Sequence, residues 1–163
     1  MSSKFSYWII LVGLIATIVV GFGITIVYKY EHDVKASTVF NIFFIIWYLF
    51  LASFIILGEL RTKCIKITLN FDYLERAGFF GFGLNSRYYY SQFEGYSLSD
   101  LYSKGKAYEF LYLIKDGKKI VKISEYYHSN YFELKKFIIQ KDIVFLGKIK
   151  WSFFREFREN FVF

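Results

Sequence analysis

No Asp, Glu, Lys or Arg occurs between Lys4 and Lys29, and none occurs between Lys35 and Glu59. Each gap exceeds twenty residues and is filled with Ile, Val, Leu, Phe, Trp and Tyr. At about 1.5 Å rise per residue, a helix of either length crosses the roughly 30 Å hydrocarbon core of a bilayer with some tilt. The pattern therefore predicts a transmembrane helical hairpin in residues 1–60, with spans near 5–28 and 36–58. Residues 61–163 remain for one small domain outside the lipid.

The first span outlasts the roughly 7–15 apolar residues of a secretory signal, lacks a small-residue cleavage site after it, and is followed directly by a second span. It is expected to be retained. The connecting loop, Lys29–Lys35, is neutral, whereas Arg61, Lys63 and Lys66 follow the second span and Lys4 precedes the first. The positive-inside bias then places both termini and the domain in the cytoplasm, with the loop outside. Tyr7, Trp8, Tyr28 and Tyr30 suit the interfacial aromatic belts. Gly13, Thr17 and Gly21 recur every four residues and give the first helix a face of small residues. Another helix can approach such a face closely, either the second span or another membrane protein. Trp47 and Tyr48 fall near the middle of the second span, where their N–H and O–H groups need partners. Ionisable residues inside the spans, the usual mark of a transport pathway, are missing from both.

The net charge of +7 resides wholly in the domain, which holds 18 Lys and Arg against 11 Asp and Glu from Arg61 onward. A basic domain beside a bilayer is attracted to anionic headgroups. The single cysteine, Cys64, excludes an intrachain disulfide and reads as a small buried residue.

After Arg61 the pattern becomes alternating. Strands are predicted at Lys63–Asn70, Tyr73–Gly81, Ser86–Ser91, Tyr96–Leu98, Tyr108–Lys115 and Lys118–Ser124. Asp116-Gly117 between the last two is a strong hairpin signal. Asn130 and Glu133 form an N-x-x-E cap for a helix whose apolar face is Tyr131, Leu134 and Ile138. A short strand is expected at Ile143–Leu146. Then comes an amphipathic segment, 148–163, with Trp151, Phe154, Phe157 and Phe161 at roughly helical spacing.

The run Arg87-Tyr88-Tyr89-Tyr90-Ser91-Gln92-Phe93-Glu94-Gly95-Tyr96 resembles the mid-domain strand of bacterial pleckstrin-homology-like (PH-like) domains. Leu111–Ile123 resembles their later hairpin, and Asn130–Phe137 their closing helix. Many bacterial proteins of this type carry a two-helix membrane hairpin directly before the domain. The resemblance implies an α+β membrane protein with a PH-like antiparallel barrel or sandwich, and binding of lipid headgroups or protein.

Catalytic signals are thin. His32 lies in the loop between Glu31 and Asp33, and three adjacent residues rarely converge on one metal. His128 has Ser124 and Glu125 nearby, but no nucleophile elbow accompanies them. Gly78-Phe79-Phe80-Gly81-Phe82-Gly83 lacks the order of a phosphate-binding loop and reads as bulges or a loop, facing either the bilayer or the core. No enzyme, metal, cofactor or nucleic acid is expected. Arg61, Lys63, Lys66, Arg76, Arg87, Lys104 and Lys106 form the candidate face for anionic lipid or an acidic protein. Segment 148–163 is either an interfacial helix or a helix packed on the barrel. Two functions follow: a membrane-anchored scaffold that binds through its basic domain, or an accessory subunit that docks through its hairpin.

Overall fold

A computed structural model describes residues 1–32, 38–103, 105–152 and 158. Two long helices come first. Helix α1 runs Trp8–His32 and α2 runs Thr38–Ser53, continuing as a π-helical stretch, Phe54–Leu60. Among the described residues, α1 alone is by itself long and apolar enough to cross a membrane, over Ile9–Ile26, and only 11% of that window is buried in the protein. The α-helical part of α2 has 16 residues. Helix α1 continues to His32, through the first four residues of the predicted loop Lys29–Lys35; residues 33–37 lie outside the described residues.

Seven strands follow among the described residues: β1 Lys66–Leu69, β2 Tyr73–Ala77, β3 Asn85–Tyr89, β4 Gly95–Ser103, β5 Lys106–Lys115, β6 Lys118–Ser124 and, after helix α3 (Tyr131–Ile139), β7 Phe145–Lys148. They form a three-stranded sheet, β1-β2-β3, and a four-stranded sheet, β6-β5-β4-β7. All pairings are antiparallel except β4 with β7, which is parallel. The chain is thus α+β. Asp116 and Gly117 both take positive φ, 53° and 68°, the geometry of the two-residue hairpin that their sequence predicts. The predicted strand at Tyr96–Leu98 is much longer in fact, because β4 pairs with β5 from Gly95 to Ser103.

Alternation sorts the strand residues into two cores. Ile65, Ile67, Leu69, Leu74, Leu98, Leu111, Leu113, Val121 and Ile123 pack with Tyr131, Leu134 and Ile138 of α3. On the other face of the larger sheet, Phe110 and Tyr112 pack with Ile9, Leu60, Cys64 and Tyr127. Phe5, Val12, Ala16, Ile55, Phe79 and Phe80 border this second cluster. It is the joint where the helices meet the sheets. Cys64 is fully buried there.

Residues 1–6 belong to the sheets by hydrogen bonding, although the sequence assigns them to the hairpin. Ser2 bridges Thr68, and Phe5 bridges His128. Ser3 N donates to Ile67 O at 2.7 Å, and Ser6 N donates to Tyr127 O at 2.8 Å. The Asn130 side chain holds the same segment: Lys4 N donates to Oδ1 at 2.8 Å, and Nδ2 donates to Ser2 O at 3.0 Å. The expected Asn130 cap is therefore absent, because its side chain makes no bond to the first turn of α3.

Candidate functional site

Strand order gives the sheets two distinct ends. The arm end carries the exit from the helices, Arg61–Ile65, the β2–β3 connection at Gly78–Leu84, and the β4–β5 turn. The distal end carries the β1–β2 turn, Asn70–Asp72, and the β5–β6 turn. Phe80 N donates to Cys64 O at 2.7 Å and fixes the β2–β3 connection beside the helix exit.

The predicted basic residues divide along this axis. Arg61, Lys63 and Lys66 sit at the arm end, where the chain passes from helix into β1. Arg76, near the end of β2, is half-buried and bonded to the Tyr88 side chain; burial lowers its pKa. Arg87 is answered within the sheet. Its Nη2 lies 2.9 Å from Glu75 Oε1, its guanidinium covers the Tyr73 ring at 4.3 Å, and the bond to Glu75 raises its pKa. Lys106 pairs with Glu125 at 3.1 Å, which raises its pKa as well. Lys104 lies outside the described residues. Arg87 and Lys106, each paired with a carboxylate of the same domain, thus present little field to a ligand.

The small-residue ladder is placed differently from the contact between the helices. An added Cβ at Gly21 meets open space, Thr17 is exposed with its hydroxyl bonded to Gly13 O at 3.0 Å, and Gly13 faces Phe80 of the β2–β3 connection. The close approach is at Gly23, where any side chain would overlap the Tyr48 phenol. Tyr48 Oη donates to Val19 O at 2.8 Å, so its hydroxyl is satisfied across the helix pair. Gly23 was missed because the four-residue repeat does not include it. Beside this contact an apolar groove of about 150 Å³ is lined by Ile18, Val19, Phe22, Trp47 and Leu51.

His128 is a structural residue. Nδ1 lies 3.3 Å from Ser124 N and 3.2 Å from Ser124 O, and Nε2 lies 3.0 Å from Ile65 O. The ring is 1% exposed, and burial pushes its pKa down. Here it ties β1 to the end of β6. No group of His, Cys, Asp and Glu able to hold a metal occurs among the described residues.

A second polar cluster joins β5 to α3. Tyr131 Oη donates to Glu109 Oε1 at 2.7 Å, and Lys135 Nζ approaches the same oxygen at 2.6 Å. Burial, then the Glu109 bond, raises the Tyr131 pKa. Every member has a partner, which is the pattern of a packing network.

Trp151 lines a narrow cleft against the larger sheet with Ser99, Tyr112, Lys119, Lys150 and Ser152. Its space, about 10 Å³, suits one water molecule and no metabolite. Ser99 Oγ, on a residue 2% exposed, has no hydrogen-bond partner among the described residues. Trp151 is therefore half-buried on the domain. Phe154, Phe157 and Phe161 lie outside the described residues.

The β2–β3 connection has unusual backbone. Phe79 and Phe80 both have positive φ, 49° and 60°, a region that costs a non-glycine residue about 1–2 kcal/mol. Bonds from Gly81 N and Gly83 N to Gly78 O, and from Phe82 N to Phe79 O, hold it as a compact turn. Phe79 and Phe80 tuck against the helices, while Phe82 and Leu84 are 93% and 94% exposed. Comparison with known proteins finds no matching family model, no matching curated protein and no matching solved structure.

Proposed function

We propose that this chain is a membrane-anchored, non-catalytic binding protein of the inner membrane, with a PH-like domain held at the cytoplasmic surface by a two-helix transmembrane hairpin. The observation that carries this reading is the bareness of the helices. Ile10, Leu14, Ile18, Phe22 and Ile24 of α1, and Phe43, Ile46, Trp47 and Phe50 of α2, are all exposed. Soluble monomers rarely leave so many large apolar side chains of two neighbouring helices in water. Lipid covers them without further protein. The π-helical continuation Phe54–Leu60 extends the apolar run of α2 back to the sheets, so both helices can return to one side. Arg61, Lys63 and Lys66 follow at that junction, and a basic residue near an anionic surface is worth about 1 kcal/mol. The PH-like part of this reading rests on the sequence runs Arg87–Tyr96, Leu111–Ile123 and Asn130–Phe137.

Two experiments test this. Carbonate washing of membranes from expressing cells is expected to leave the full chain in the pellet, and release of the intact chain overturns the anchor. In reconstituted bilayers, spin-labelled phosphatidylglycerol is expected to be enriched around the protein over phosphatidylcholine. The enrichment should fall with salt and in Lys63→Gln/Lys66→Gln. Equal association of both lipids removes the headgroup role.

The open face of α1 favours a second reading. With Thr17 exposed and Gly21 facing open space, a further transmembrane helix has room to pack there. The chain would then be an accessory subunit of a membrane complex. Gly21→Leu is expected to strip co-purifying membrane proteins from the full chain, and their persistence argues against this role.

A further inference from the structure

We propose that the β2–β3 connection is a second membrane contact, in which Phe82 and Leu84 enter the lipid interface beside the first turns of α1. The proposal rests on the membrane reading of α1 and adds to it that the sheets lie flush on the bilayer.

Height along α1 is the first argument. Phe80 Cζ lies 3.7 Å from where a Cβ of Gly13 would be. Gly13 is the fifth residue of the apolar window Ile9–Ile26. At about 1.5 Å per residue, the connection therefore reaches about 6 Å past the start of that window. Either the opening turns of α1 stand out of the lipid, or the connection sits in it. The first choice leaves Ile10, Leu11 and Leu14 in water together with Phe82 and Leu84, all of them exposed large apolar side chains. The second removes all five from water at once, and burial of apolar area is the dominant favourable term at a membrane surface.

The build of the loop is the second argument. Phe79 and Phe80 are held in left-handed backbone, and four backbone hydrogen bonds pin the segment from Cys64 to Gly83. Phe82 and Leu84 are thus presented on a fixed turn. The Lys66 side chain packs its aliphatic stem on Gly81, which sets an ammonium group beside the apolar tip. A basic residue flanking exposed aromatic and aliphatic groups is the composition that suits an anionic headgroup layer. The distal turn supplies the contrast: Phe71 is also exposed, yet Leu69 and Leu74 separate it from the arm end by the length of β1.

The test uses the full chain in bilayers of phosphatidylcholine and phosphatidylglycerol. A nitroxide is attached to Phe82→Cys, Leu84→Cys, Ile18→Cys or Phe71→Cys in a Cys64→Ala background, and collision with oxygen and with a water-soluble nickel chelate is compared. At 82 and 84 the oxygen-to-nickel ratio is expected to be several-fold above that at 71 and below that at 18. If 18 reads as lipid while 82 and 84 match 71, the loop proposal fails and the anchor stands. If 18 itself reads as water, the membrane reading fails and takes the loop with it. All three reporter sites on the surface are exposed side chains, so labelling leaves the cores intact.

Discussion

The helices and the sheets of this chain solve opposite problems. In the sheets, Ile65, Ile67, Leu74, Leu111, Leu113, Val121 and Ile123 are fully buried by neighbours in the same chain. In α1, only 11% of the window Ile9–Ile26 is buried. Both regions are rich in the same aliphatic residues. What differs is the periodicity, which lets a two-sided sheet cover itself and leaves an all-round apolar helix to be covered from outside. The lesson is that stability here is local to the sheets and to the joint, while the helices depend on their surroundings.

The largest test of that contrast is a pair of truncations. Leu111→Ala is expected to destabilise the sheets by about 3 kcal/mol, through lost burial and a cavity. Ile18→Ala in α1 is expected to leave the unfolding of the sheets unchanged. Urea titration of the full chain in detergent, followed by near-ultraviolet circular dichroism, measures both. Equal effects would erase the distinction between the regions.

The next test concerns the joint. Asn130→Ala removes both side-chain bonds that hold Lys4 and Ser2, at an expected cost of about 2 kcal/mol. Hydrogen exchange should then speed up at Ile67 and Leu69, whose amides bond to residues 1–3. Unchanged exchange there would mean that the first residues contribute little to the sheets.

Acid should act on the same joint. The folded pKa of His128 lies below the ordinary histidine value near 6.5, because the ring is buried. Between these two values the unfolded chain binds more protons, so stability rises with pH across that window. The contribution is complete above about pH 6.5, falls as the pH drops below it, and levels off beneath the folded pKa. His128→Gln should flatten that part of the pH profile of the urea midpoint.

Two smaller effects sharpen the picture. Tyr48→Phe removes the bond to Val19 O and should loosen the helix pair by about 1 kcal/mol, read as cross-linking efficiency between engineered cysteines on α1 and α2. Arg87→Gln breaks a largely exposed ion pair and a cation–π contact with Tyr73, so stability should fall by no more than about 1 kcal/mol while lipid selectivity stays at the parent value.

Much of the strand order was legible. The β6 boundaries and the Asp116-Gly117 hairpin follow from alternation and turn chemistry, and α3 from the spacing of Tyr131, Leu134 and Ile138, whereas the strand after it starts and ends two residues later than predicted. The β4 strand was underestimated because Ser97, Ser99 and Asp100 weaken its apolar signal, while pairing with β5 carries it through. The candidate site was less legible. Arg87 and Lys106 look like free cations in sequence, and only the register opposite Glu75 and the fold-back beside Glu125 neutralise them. For Gly78–Gly83 the sequence leaves bilayer and core both open, and only the positive-φ turn at Phe79 and Phe80 separates those two half-buried rings from the exposed Phe82.

The sequence alone determined that two long apolar helices precede a basic, strand-rich module, because charge-free runs and two-residue alternation are local properties of the chain. The tertiary structure decided that residues 1–6 join the sheets, that Asn130 leaves its cap, that Gly23 makes the helix contact, and which turns share the arm end. Each of these depends on groups far apart in sequence being brought within a few ångströms, and no local pattern carries that information.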